Sequence, residues 1–401
     1  GIPRELMGLS YGKPGAYGGQ STIPSPEEIA KMLRRHLIAL GPIAALPYDP
    51  LTRLAKLLES CGGGGSSARR CYHSFTRLTK LLENVELPGL APVPLPSRLF
   101  GGHVAQVRNL ARRLHEAAFI SGSDPEVSTA AAAWASRLLH VPGSDAVKKA
   151  LMVAVAQLHI EAGWAGFDAG LYDRAMIHYA CAVELGIKAG DAYCQAVALS
   201  WAGLAIVEHG HPNDGLKMLQ YAGVTALGIP SDPDPSTMVI GEGSRVAVQA
   251  SVQSSAAPAY DRLGSPALAD ADLTKARELW TPTPADINVG GDLDRPAACL
   301  ELARGRLDVA EPFAVASVRR WEGVSQVGRT QSAVVLATIH VRAGEPRGLQ
   351  LAHDALTAAG RLTSIRVRQK LEPLAIALEG RRGSDARELA RQARQVALAR
   401  V

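Results

Sequence analysis

At 401 residues the chain can hold two or three domains or one extended repeat array. A hydrophobic content of 47% with 20% charged residues excludes global disorder, and abundant alanine with only 5% aromatics favours closely packed helices over a β-sandwich. The net charge of +5 sits at the end of the chain, where ten Lys/Arg stand against four Asp/Glu from Arg361 to Val401. That surplus reads as the solvated face of a terminal helix or as a site for a polyanion. RELARQARQVALAR carries leucine, alanine and valine at helical spacing, which favours the first reading.

In chain order, GIPRELMGLSYG comes first: Ile2, Leu6, Met7 and Leu9 lie at helical spacing, Pro3 suits a first turn, and Gly8 and Gly12 suit an end. Residues 13–97 read as a linker with short helices, rich in Gly, Ser and Pro at 11–26, broken by four glycines near Cys61, and proline-dense in ELPGLAPVPLPS. The apolar stretch Leu37–Leu46 is far short of the roughly 20 residues a membrane span needs, so no membrane association is expected. Five scattered cysteines make no disulfide framework, which sets the cytoplasm as the default compartment. Cys61, Cys71 and His73 lack C-x2-C spacing and are not read as metal ligands.

The array at 98–401 opens with a helix pair, HVAQVRNLARRLHEAAF and EVSTAAAAWASRLLH. A clearer unit follows in AQLHIEAGWAGFDAGLYDRAMIHYACAVEL, a helix, a turn at Gly170 and a second helix. Gly163, Ala175 and Ala182 are small where two helices must approach, and Tyr172 and Tyr179 fill the space between them. GLYDRAMIHYACAVEL resembles a tetratricopeptide repeat closely. The next unit, AVALSWAGLAIVEHGHPNDGLKMLQYAG, places Gly203, Gly210 and Ala222 at the same offsets 40 residues later. It is a degenerate copy, with Gly215 and Pro212 at positions where the family prefers alanine and tyrosine. Weaker units turn at Gly264, Gly305 and Gly344, giving spacings of 40, 54, 41 and 39 residues from Gly170. The long interval holds the loop GIPSDPDPST, an insertion. The expected fold is all-α, a tetratricopeptide-like superhelix, or α-solenoid, with a concave groove.

No catalytic chemistry is legible. STMVIGEGSR at 236–245 lacks the third glycine of a dinucleotide fingerprint and the Lys-Ser/Thr of a phosphate loop, and reads as a loop leading into a helix. HGH at 209–211 offers two imidazoles around a turn without a third ligand, so these read as exposed turn residues. There is no G-x-S-x-G elbow and no H-E-x-x-H helix. The expectation is a non-enzyme with no cofactor, no metal and no catalytic residue.

Binding is placed on the first helix of each pair, which lines the groove in this architecture. The alignment of units directs Gln157, Ile160, Glu161, Trp164, Phe167 and Asp168 there in the first clear copy, and Ser200, Trp201, Leu204, Val207 and Glu208 in the second. Arg295 and Arg342 fall on the same side in later copies. Tryptophans, acids and arginines suit a groove that clamps a peptide or small amphipathic effector. Trp164 and Trp201 read equally well as inter-helix packing.

GIPRELMGLSYG also resembles the final helix of the helix-turn-helix domain in XRE-family (Cro/C1-type) regulators of actinobacteria. LPSRLFGGHVAQVRNLARRL, AWASRLLHVPGSDAVKKAL, HIEAGWAGFDAGLYDRA and LTSIRVRQKLEPLAIALEGRRGSDARELARQAR are similar to stretches of the same group, in the same order. The resemblance covers residues 1–12 and most of 90–400. It implies that the recognition helix belongs to a segment ahead of this chain, so that 1–12 is a remnant of the DNA-binding domain and DNA is met only through the missing part. It further implies the effector-sensing and dimerising region of a bacterial transcriptional regulator, acting as a homodimer. The alternative is a tetratricopeptide protein-interaction scaffold with no DNA role.

Overall fold

The computed structural model describes residues 95–231, 245–279 and 292–398. GIPRELMGLSYG, Leu37–Leu46, Cys61, Cys71 and His73 lie outside the described residues, as does STMVIGEGSR apart from its last residue, Arg245.

Every regular element among the described residues is a helix. In chain order these are α1 (Gly101–Ile120), α2 (Pro125–Leu138), α3 (Asp145–Asp168), α4 (Tyr172–Ala189), α5 (Ala192–Glu208), α6 (Pro212–Ala226), α7 (Arg245–Arg262) and α8 (Pro266–Leu279). There follow α9 (Asp294–Ala303), α10 (Leu307–Arg320), α11 (Gln326–Arg342), α12 (Arg347–Gly360), α13 (Ile365–Gln369), α14 (Glu372–Glu379) and α15 (Ser384–Leu398). The helices form adjacent pairs, an all-α helical-repeat fold, and successive pairs stack, α6 on α7 and α10 on α11.

The five turn glycines expected from the sequence all close a helix in the same way. Gly170, Gly210, Gly264, Gly305 and Gly344 hold φ between 71° and 94°, a region that a side chain would strain. At each, the next residue's N–H reaches back to the last turn: Leu171 to Gly166 O at 2.7 Å, His211 to Ile206 O at 3.1 Å, Ser265 to Tyr260 O at 2.9 Å, Arg306 to Glu301 O at 2.9 Å and Glu345 to His340 O at 3.1 Å. This six-to-one bond satisfies a carbonyl that the helix end would otherwise orphan. Helix starts are set as locally: Asp191 caps α5 through Cys194 N at 2.7 Å, and Ser325 caps α11 through Gly328 N at 3.0 Å.

The turns carry a common packing register. Seven residues before each turn glycine stand Gly163, Gly203, Ala257, Ala298 and Ala337, all buried. Five after the first four stand Ala175, Gly215, Ala269 and Ala310, and twelve after stand Ala182, Ala222, Ala276 and Ser317, again all buried. In the fifth pair the small residues are Gly348 and Ala355, one position early. A Cβ on Gly163 would stand 2.6 Å from the Tyr179 ring, and one on Gly203 2.8 Å from Leu219. The Tyr179 ring of α4 therefore rests on bare backbone of α3, and α5 and α6 approach backbone to backbone at Gly203 and Gly215, which only the smallest residues permit. The 54-residue interval contains α6 and α7, and its extra length lies in the connection between their described ends, Ala226 and Arg245.

The chain divides into two compact units. Of the described residues, the first holds 95–111, Thr129–Gly163 and those of 173–279; the second holds Arg112–Ser128, Trp164–Tyr172 and 292–398. In the second unit a core joins Val334 and Ala337 of α11, Leu356 of α12, Val367 of α13, Leu374 and Leu378 of α14 and Leu389 of α15. The apolar stripe of RELARQARQVALAR is thus spent on its own chain: Ala386, Leu389, Ala390 and Ala393 are buried. On its polar side Arg394 meets Glu372 and Glu379, and Arg391 meets Glu388 at 2.5 Å, so part of the basic surplus is paired. Helix α3 alone among the described helices has the length and apolarity to cross a membrane, and 83% of that stretch is buried within the fold.

Candidate ligand-binding site

The first unit contains a cleft of about 600 Å³, open solvent at its mouth included, between α6, α7 and α8. Its polar lining is Gln220 from α6, Gln249, Gln253 and Tyr260 from α7, and Asp272 and Lys275 from α8. The residues of α7 reach it because 249, 253 and 260 recur at helical spacing on one face. Pro258 lies inside α7 and supplies no N–H to the Ser254 carbonyl, yet the helix runs on to Arg262. Gln220 Nε2 donates to the Tyr260 hydroxyl at 3.4 Å. Gln253 Oε1 is buried and accepts no hydrogen bond.

Asp272 is the electrostatic centre of this cleft. It is 9% exposed, and burial pushes its carboxyl up to about 7, partly offset by the charge of Lys275. The same burial, together with the charge of Asp272, raises the Tyr260 phenol, while the Gln220 hydrogen bond lowers it. The cleft therefore combines apolar walls with a desolvated carboxyl and one unfilled amide oxygen, an arrangement for holding a small ligand by a few polar contacts.

The residues expected from the sequence are divided between the units. In the first, Gln157 and Glu161 are buried at 1% and 4% exposure and are closed to a ligand in this conformation. Trp201, Leu204 and Glu208 are partly exposed on α5. In the second, Phe167 is buried and Trp164 half-buried, edge to face with ring centroids 5.9 Å apart. The Arg366 guanidinium lies over both rings, 5.3 Å from Trp164 and 4.7 Å from Phe167. Ser364 Oγ donates to Asp168 at 2.6 Å, and burial raises the Asp168 carboxyl despite that bond and the Arg366 charge. The segment 364–366 of the same chain thus occupies the surface expected to take a ligand at Trp164 and Phe167. Arg295 is half-buried, its Nε 3.9 Å from Asp292, and exposed Arg342 donates to Leu302 O at 2.9 Å.

Two further polar clusters are structural. His159 and His178, both fully buried, share an Nδ1–Nδ1 contact of 3.0 Å. Ser136 Oγ donates to Ala132 O at 2.8 Å, so it accepts from His159 Nε2 at 3.0 Å; His178 Nδ1 then donates to His159, and Thr129 donates to His178 Nε2 at 3.2 Å. Each proton is accounted for with both rings neutral. In the second unit His340 lies between Glu345 at 2.9 Å and Glu311 at 3.5 Å, a spacing that a metal could use. Arg347 bonds both carboxylates at 2.8 Å and offsets one of their two charges. His209 and His211 are exposed on the α5–α6 turn.

No family model, curated protein or solved structure matches this chain.

Sequence reasoning missed the cleft because its walls come from three helices of two successive pairs. The legible signal was the polar face of α7, Gln249, Gln253 and Tyr260, within an otherwise alanine- and valine-rich helix.

Proposed function

We propose that this chain is the effector-sensing and dimerising region of a bacterial transcriptional regulator, working in the cytoplasm. The repeat register supports it most: five helix pairs turn at left-handed glycines and close on the same buried small residues. Such packing suits a stacked helical-repeat array of the tetratricopeptide kind, whose extended concave surfaces are used for binding. The link to transcription is the likeness of GIPRELMGLSYG, and of the ordered phrases after it, to XRE-family regulators. A peptide or small molecule lodged between helices of adjacent pairs stabilises one packing of the array over another. In a homodimer that preference alters the spacing of two DNA-binding domains, a population shift set by differential affinity.

Chromatin immunoprecipitation of the native protein from its source cells tests this. Discrete promoter-proximal sites are expected. A profile with no site above background refutes the regulatory reading and favours a protein-interaction scaffold built on the same repeats.

A further inference from the structure

We propose that the cleft between α6, α7 and α8 binds an organic cation, an ammonium or guanidinium group carried on a short apolar stem. This rests on reading the repeat array as ligand-binding, and it names the chemistry. The argument is an account of donors and acceptors. Among the described residues Gln253 Oε1 is buried without a donor, and the nine-tenths buried Asp272 carboxyl lines the same cleft, where the charge of Lys275 one turn along α8 acts on it. Both are acceptors, so the cleft calls for N–H groups. An anion would meet the Asp272 carboxylate, and an apolar molecule would cover that carboxylate and leave Gln253 Oε1 unfilled, which is costly. An ammonium brings three donors and a guanidinium five, with a positive charge that meets the Asp272 carboxylate directly. Leu216, Val224, Val252 and Leu279 supply apolar wall for a stem.

The groups facing Asp272 set the pH behaviour: Lys275 on its own helix, the Tyr260 phenol from α7, and the neutral Gln220 amide from α6. Near pH 7 Asp272 is only partly ionised, so a bound cation expels a proton to the buffer. Uptake of the ligand and release of that proton are one event.

Isothermal titration of the full chain tests the site with two probes. Agmatine is a free cation with both head groups, and Ac-Ala-Ala-Arg-Ala-Ala-NH2 carries one on a peptide. Saturable binding of either is expected, with proton release at pH 7 measured from buffers of different ionisation enthalpy. Agmatine without the peptide assigns the site to free cations; the peptide without agmatine assigns it to a side chain of a partner. Asp272→Asn and Gln253→Leu should each weaken binding tenfold or more, while Glu278→Gln, exposed on the same helix, should leave it within twofold. If Asp272→Asn fails to fold by circular dichroism, Gln253→Leu and the proton release carry the test. Absence of binding by both probes, or affinity unchanged by the folded variants, overturns the proposal. Promoter occupancy without cation binding would overturn this site and leave the regulator reading standing; cation binding without promoter occupancy would do the reverse.

Discussion

Acid should weaken the first unit through its buried histidines, and Asp272 should mask part of that loss. Burial holds His159 down to about 3 against an ordinary 6.5, and lowers His178 in the same direction, helped by the charges of His159 and Arg174. The unfolded chain takes up a proton near pH 6.5 and the folded chain does not until about pH 3. Stability is therefore full above 6.5 and falls with pH below it, by ~1.4 kcal/mol per unit for one histidine. At pH 5 the loss from His159 is about 2 kcal/mol, a sizeable part of the ~5–15 kcal/mol that a domain commonly has. His178 adds to it. Asp272 has the opposite sign. Its folded value of about 7 exceeds the ordinary 3.8, so its contribution is full below 3.8 and is lost as pH rises through 7. From pH 7 to 5 it returns about 2 kcal/mol, and Asp168, also raised by burial, acts in the same direction in the second unit. Denaturant unfolding followed by helical circular dichroism at pH 7, 6 and 5 should thus show a shallow loss in the wild type and a loss about 2 kcal/mol larger in Asp272→Asn. In the folded protein, the His159 and His178 ring resonances should not titrate between pH 7.5 and 5. Parallel pH profiles for the two proteins, or ring shifts with a midpoint near 6.5, would refute the reasoning.

The remaining consequences are packing tests. Gly163→Ala places a methyl 2.6 Å from the Tyr179 ring, and should cost about 1–3 kcal/mol despite the better helix propensity of alanine; a neutral melting point would show that α3 and α4 have room to separate. Trp164→Ala removes the ring on which Phe167 and Arg366 rest, and should cost about 2–4 kcal/mol, at the lower end for a half-buried ring. An unchanged melting point there would return Trp164 to the open surface that its spacing suggests.

What the sequence disclosed follows from how local each requirement is. Gly170, Gly210, Gly264, Gly305 and Gly344 were legible because a left-handed helix end is a demand on one residue, and glycine meets it. Ala257, Ala298 and Ala337 obey the register as well, but in an alanine-rich chain a buried alanine does not stand out. The direction of each helix's faces was harder. The alignment of repeat units directs Gln157 and Glu161 to an open groove, whereas burial depends on every element packed around α3. Asp168, expected on the groove side with Trp164 and Phe167, is buried, and the partners that reach it, Ser364 and Arg366, come from almost 200 residues further along. No spacing rule spans that distance.

The glycines themselves point to the cleft. At Gly163, Gly203 and Gly348 a Cβ would stand within 3 Å of a neighbour, so those glycines are imposed by close approach. Gly223 lies in the interior of α6, where glycine costs ~0.5–1 kcal/mol relative to alanine. A Cβ there would meet only Val252 Cγ1, at an ordinary 3.6 Å. Close packing does not demand this glycine, yet it lines the cleft. Its missing methyl leaves space on the wall opposite α7. Gly223→Ala should therefore raise stability by about 0.5–1 kcal/mol, because the unfolded chain loses freedom and the folded one gains a tolerable contact. The same methyl should weaken agmatine binding severalfold by narrowing the cleft. Melting and titration on one variant separate the two effects. A more stable protein with undiminished affinity would mean that the ligand does not use this wall; a less stable one would mean that α6 and α7 are closer than 3.6 Å implies.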